Sequence, residues 1–157
     1  MSVTTNDGFD EVWREHGPTI WRAVYVYAGG RRDIADDAVA EAFARAMEQP
    51  NLIKNPVAYL YRLAFQAAAM ERKRMTDLRE PPEVAGPESD GYGADILDAL
   101  RRLSPGQRAA IYLHYRVDLP VAEVAAAMGT SAAVVKVHLM RGRRKLASFL
   151  SEDSADD

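Results

Sequence analysis

The 157-residue chain carries a formal charge of −3 and is 48% apolar, enough to bury a core and too apolar for wholesale disorder. It has no cysteine, which excludes disulfide frameworks and thiolate metal sites, and no apolar run near the roughly 18 residues of a membrane span. Its first thirty residues hold Asp7, Asp10, Glu11 and Glu15 instead of the basic start and apolar middle of a secretory signal, so a cytoplasmic protein without a membrane is expected.

Helical periodicity runs through the chain with no strand pattern, so the expected fold is all-α. Phe9, Trp13, Ile20, Val24 and Tyr27 recur at helical steps, with Gly17-Pro18 expected to bend or break the segment and Gly29-Gly30 to end it. Asp33 then reads as an N-cap with Asp36 in the first turn, where a carboxylate suits the helix dipole. Ala35, Val39, Ala42, Phe43 and Ala46 form the buried stripe of this second helix, and Pro50-Asn51 follows as its breaker. Asn55-Pro56 opens a third helix to about Arg74.

From Met75 to Ala94, Pro81, Pro82, Gly86, Pro87, Gly91 and Gly93 sit among acidic residues, the composition of an extended linker. Ser104-Pro105-Gly106-Gln107 is a capping-box pattern with Pro at the first helical position. Pro120 to Met128 and Ser131 to Leu150 give the last two helices, and "SEDSADD" reads as a frayed acidic tail. The expected organisation is therefore an N-terminal tail (1–8), a helical domain (9–74), a flexible acidic linker (75–94), a second helical domain (95–150) and a tail (151–157).

The small net charge conceals alternation. Residues 1–49 sum to −4, 50–74 to +4, 75–94 to −4, 95–150 to +5 and 151–157 to −4. Two basic zones between acidic ones are candidate seats for a polyanion.

The second basic zone has a geometry. Val121, Val124, Ala125 and Met128 make one short amphipathic helix, Gly129 suits its end, and Ser131 can cap the next after a tight turn. On that next helix Val135, Leu139, Gly142, Leu146 and Phe149 share a stripe. At about 100° per residue Arg141 and Arg144 point away from it, flanked by Lys136, Arg143 and Lys145. Val134 and Val137 also face outward, where a valine can touch a thymine methyl. This is a helix-turn-helix with a basic outer face, the arrangement that seats a helix in the major groove while cations neutralise phosphates. A solvated basic face on an ordinary helical hairpin remains the plainer alternative.

Catalysis finds no residues. His16, His114 and His138 lie far apart on different predicted helices, and there is no Gly-rich phosphate loop or metal-ligand spacing. No cofactor, metal or enzymatic activity is expected, and His114, among Tyr112, Leu113 and Tyr115, reads as a packing residue.

"LSPGQRAAIYLHYRVDLPVAEVAAAMGTSAAVVKVHLMRGRRKL", Leu103 to Leu146, resembles region four of bacterial extracytoplasmic-function sigma factors. The likeness rests on the Leu-Ser-Pro opening with Gln107 and Arg108, Tyr115, "LPVAEVA", the "GTS" turn, Val135-Lys136 and the Arg141/Arg143 pair. "DDAVAEAFARAM" resembles the acidic helix of sigma region two, and "AYLYRLAFQAAAMERKR" its promoter-melting helix. Both blocks stand in family order across roughly residues 9–150.

The resemblance implies partners: the polymerase core, through its β′ clamp helices and β flap, and promoter DNA, with an anti-sigma protein left open. It implies polymerase contacts at Asp36, Asp37, Glu41, Phe43 and Arg45, with Phe43 expected to be mostly core. Downstream-element binding and melting would fall to Tyr59, Tyr61, Arg62, Gln66, Arg72, Lys73 and Arg74, after a loop from Glu48 to Pro56 that takes a flipped base. Opening a duplex needs bases stacked on aromatic rings and phosphates held by cations. The upstream element would meet Ser131, Val134, Lys136, Val137, His138, Arg141, Arg143 and Arg144. The acidic linker resembles those that thread the RNA exit path. The chain departs from the family's pattern at Tyr59, Phe65-Gln66, Met70, Val134 and Val137. Two other readings stay open: an autonomous helix-turn-helix regulator, and a sigma-derived interaction protein without melting activity.

Overall fold

The computed structural model describes residues 6–48, 55–77 and 94–155. Among these every element is helical: α1 (Asn6–Tyr27), α2 (Arg32–Glu48), α3 (Pro56–Asp77), α4 (Ala94–Arg101), α5 (Pro105–Ile111), α6 (Val121–Met128) and α7 (Ala132–Ala155). A π-helical turn, Tyr112–Arg116, extends α5.

α1, α2 and α3 pack into one block around Ile20, Val24, Ile34, Val39 and Leu60, all fully buried. α1 begins earlier than expected, at Asn6, and runs unbroken through Pro18. Proline costs a helix interior about 3 kcal/mol, but Ile20, Ala23 and Val24 are held against α2 and α3 just beyond it. Gly17 lets the Trp13 ring lie on the helix, since a Cβ there would sit 3.1 Å from it. Trp13 stays 45% exposed and meets Phe43 edge-on, with ring centroids 4.5 Å apart.

α1 ends in a Schellman turn: Gly30 N–H donates to the Tyr25 carbonyl (2.9 Å), Gly29 N–H to that of Val26 (3.0 Å), and Gly29 takes φ 72°. Asp33 is not the N-cap of α2. It lies in the first turn and accepts two hydrogen bonds from Arg31 (2.6 and 3.2 Å), which hold its carboxyl below the usual range. Asn55 does cap α3, accepting from Ala58 N–H at 3.2 Å. α3 runs on to Asp77, past the expected end near Arg74.

The second block is α4 to α7. Ser104 and Gln107 form the expected reciprocal capping box, both bonds 3.2 Å. Gly129 (φ 69°) closes α6 in a second Schellman turn, with Thr130 N–H on the Ala125 carbonyl. Ser131 Oγ accepts from Val134 N–H at 3.2 Å, so the turn between α6 and α7 is built as expected. α7 continues to Ala155, into the segment expected to fray. Most of the acidic linker, 78–93, lies outside the described residues.

The two blocks pack directly on each other, α5 against α1 and α6 against α3, in one continuous core. Arg101 Nε donates to the Gly29 carbonyl (2.8 Å) and Arg108 Nη2 to that of Tyr27 (2.6 Å). Both cations therefore sit at the negative end of the α1 dipole.

Candidate nucleic-acid interface

α7 is held by its inner stripe. Val135 and Leu139 are buried, and Gly142 brings the helix so close to α5 that a Cβ would lie 2.9 Å from Ile111. Ser131, Lys136, Arg141, Arg143 and Arg144 are exposed on the remaining surface, with Val134 (41% exposed) and Val137 (39%) beside them. His138 is turned aside onto Gly106, where a Cβ would stand 2.8 Å from its ring. Burial, and then Arg141, lower its pKa from the ordinary 6.5.

Tyr115 is a contributor that sequence reasoning left without a role. From the π turn its hydroxyl accepts from Arg143 Nη1 at 2.7 Å, tethering that guanidinium across two elements. The π turn itself is closed by His114, whose Nδ1 donates to the Leu119 carbonyl at 2.9 Å, the satisfied packing role expected of it.

On α3 the expected residues divide. Arg62, Gln66, Lys73 and Arg74 are exposed, and Tyr59 is half-buried. Arg72 lies 5.6 Å from the centre of the Tyr27 ring. Tyr61 is 3% exposed and stacked on Phe65, and burial pushes its hydroxyl up to about 12. Its ring belongs to the core of this arrangement, so the expected contact with a melted base is not available to it here. Arg62 passes beside the turn of the second block, 3.4 Å from where a Cβ on Gly129 would be. The expected base-capturing loop falls mainly on 49–54, outside the described residues.

On α2, Asp36, Asp37, Glu41 and Arg45 lie on the exposed side. Asp36 accepts from Trp21 Nε1 at 2.8 Å, and Glu41 pairs with Arg45 at 2.9 Å. Phe43 is core, as expected, at 9% exposure. The helix thus offers a mostly acidic face with a rim of Trp13 and Met47, both partly exposed apolar groups. Among the described residues no cluster of His, Asp or Glu could hold a metal ion, and no helix is long and apolar enough to cross a membrane.

Three comparisons bear on this geometry. Residues 94–146 match the family model "Sigma-70, region 4". The chain is 28% identical to the ECF RNA polymerase sigma factor BldN of Streptomyces coelicolor, over 94% of this chain and 62% of that protein. It is 29% identical to the RNA polymerase sigma-E factor of the same organism, over 76% of this chain and 71% of that one. The solved sigma factor RpoE of Bartonella quintana, determined in complex with the anti-sigma factor NepR, shares the fold with a TM-score of 0.76 at 21% identity, covering 92% of this chain and 97% of that one. The chain spans about three-fifths of the length of the first curated relatives it matches. Both helical blocks, the capped turn between α6 and α7, and these likenesses converge: the chain is similar to extracytoplasmic-function sigma factors, and its residues 94–146 match sigma-70 region 4.

Proposed function

We propose that the protein is an RNA polymerase sigma factor of the extracytoplasmic-function type, directing initiation at specific promoters without covalent chemistry of its own. The observation that carries this most is the pairing, in one chain, of a capped helix-turn-helix whose outer face is basic with a separate helix whose outer face is acidic. A regulator acting through DNA alone needs only the first. The acidic face of α2, Asp36, Asp37 and Glu41 with the partly exposed Trp13 and Met47 near it, suits a basic protein surface: charge steers the encounter and aromatic anchors hold it.

In this scheme α2 docks on the β′ clamp helices, α7 and its neighbours hold the upstream promoter element beside the β flap, and α3 works on the downstream one. Arg62, Gln66, Lys73 and Arg74 present cations and an amide there. An anti-sigma protein that covers one of these faces is the remaining partner. In vitro transcription tests the proposal: core polymerase with this protein yields discrete transcripts from genomic templates that core alone does not. Tight sequence-specific gel shifts without polymerase, and no transcripts with it, would instead identify an autonomous regulator.

The burial of Tyr61 supports a narrower variant, in which core binding is retained and strand opening is weak. Permanganate reactivity of unpaired thymines in the holoenzyme–promoter complex separates the two.

A further inference from the structure

The outermost strip of α7 is unusual for a surface that must read DNA. About 200° around the helix from the buried Leu139 lies Val137, and beside it on the same side are Val134 and Met140, each about 40% exposed. Between residues 132 and 150 there is no Asn, Gln, Asp or Glu, the side chains that pair with adenine or cytosine edges. Ser131 Oγ accepts from the Val134 N–H at the very start of the helix, and His138 is folded onto Gly106. Lys136 and Arg143 lie to the side of the strip, Arg141 and Arg144 continue the outer face in the following turns, and Tyr115 tethers Arg143. No acidic residue interrupts this surface from Gly129 to Ser151. An apolar strip edged only by cations suits a groove whose rims are phosphates and whose floor carries methyl groups; it does not suit an acidic or amphipathic peptide as well, because the cations spread over two sides and the next turn.

We infer that Val134, Val137 and Met140 read the upstream promoter element through the 5-methyl groups of thymines, with the flanking cations supplying phosphate contacts without base discrimination. The inference rests on the sigma-factor reading above and adds the base chemistry that α7 selects. Methyl recognition is shape-based: each buried methyl contributes about fourfold in affinity, so specificity comes from two or more adjacent thymines. A hydrogen-bonding reader would give far steeper discrimination at a single position.

Deoxyuridine pairs as thymine does but lacks the 5-methyl group, which makes the test direct. Holoenzyme is used to select its promoter from a randomised duplex pool, and the upstream element is then remade with deoxyuridine at each thymine. Affinity is expected to fall about fourfold per contacted thymine. Val137→Ala with Val134→Ala should bind the thymine and deoxyuridine duplexes nearly alike. Arg143→Ala should weaken both duplexes equally and reduce the salt dependence of binding. Thermal melting confirms that the variants are folded.

Equal binding of thymine and deoxyuridine duplexes by a holoenzyme that initiates normally overturns this inference and leaves the sigma-factor reading intact. Failure to bind any duplex, with or without polymerase, overturns both. Concentration-dependent dimerisation abolished by Val137→Ser assigns the strip to a second copy of the chain and overturns the methyl reading.

Discussion

Arg108 of α5 reaches the Tyr27 carbonyl at the end of α1 through Nη2, 2.6 Å away and 81 positions distant in sequence. The same guanidinium donates to the Leu103 carbonyl at 2.9 Å, while its Nε meets no acceptor among the described residues. Burial, with Arg72 and Arg101 nearby, brings its pKa down to about 10, still fully charged at pH 7. One buried cation thus ties the two helical blocks together through a carbonyl that the end of α1 leaves open.

Replacing Arg108 by Met keeps much of the volume and deletes every donor. The Tyr27 and Leu103 carbonyls then lose their partners, and the expected loss of stability is about 3 kcal/mol. Urea unfolding followed by Trp fluorescence and by circular dichroism should also lose coincidence, as the blocks cease to unfold together. A variant as stable and cooperative as the parent would remove the arginine from that role.

The turn between α6 and α7 depends on local groups. Ser131→Ala removes the bond to the Val134 N–H and is expected to cost about 1 kcal/mol. Gly129→Ala forces an L side chain to φ 69° and brings its Cβ to 3.4 Å from Arg62, for a further cost of about 1 kcal/mol. Chemical denaturation of each variant measures these directly.

His138 gives the fold a pH dependence of known sign. Its folded pKa is lowered, by burial first and Arg141 second, from the ordinary 6.5. Below pH 6.5 the unfolded chain therefore binds the proton more readily than the folded one, and stability falls as pH drops towards the folded pKa; above 6.5 the residue contributes no slope. His138→Gln should flatten that part of the curve. Phosphates favour the imidazolium, so bound DNA should raise the midpoint seen by NMR, and an unchanged midpoint would place His138 away from the backbone.

Asp36→Asn, Asp37→Asn and Glu41→Gln together remove three charges from the exposed side of α2. The amide introduced by Asp36→Asn keeps an oxygen for Trp21, and the exposed Glu41–Arg45 pair contributes no more than about 0.5 kcal/mol, so the melting temperature should hardly move. Affinity for core polymerase should fall at least tenfold, most clearly at low salt. Undiminished affinity would separate α2 from polymerase binding.

Much of the molecule was legible locally. The capping box at Ser104 and Gln107, the cap at Ser131, the glycine ends at Gly29 and Gly129, and the buried stripe of α7 all depend on residues within one or two turns of each other. The two misreadings have different causes, one distant and one local. Gly17-Pro18 is expected to bend or break α1, and the helix is not broken there, because Ile20 and Val24 pack on two other helices, which is invisible from α1 alone. Asp33 read as a cap, but Arg31 engages its carboxylate and the helix begins at Arg32.

The chain's own periodicity and turn chemistry determined that it is all-helical, where the turn before α7 lies, and that this helix turns its cations outward. Only the tertiary structure decided that Tyr61 faces the core, that Arg108 is buried at the end of α1, and that Tyr115 tethers Arg143. The physical reason is range: a helix face and a cap follow from neighbours three or four residues away, whereas whether a tyrosine or an arginine meets water or another helix depends on partners far along the chain.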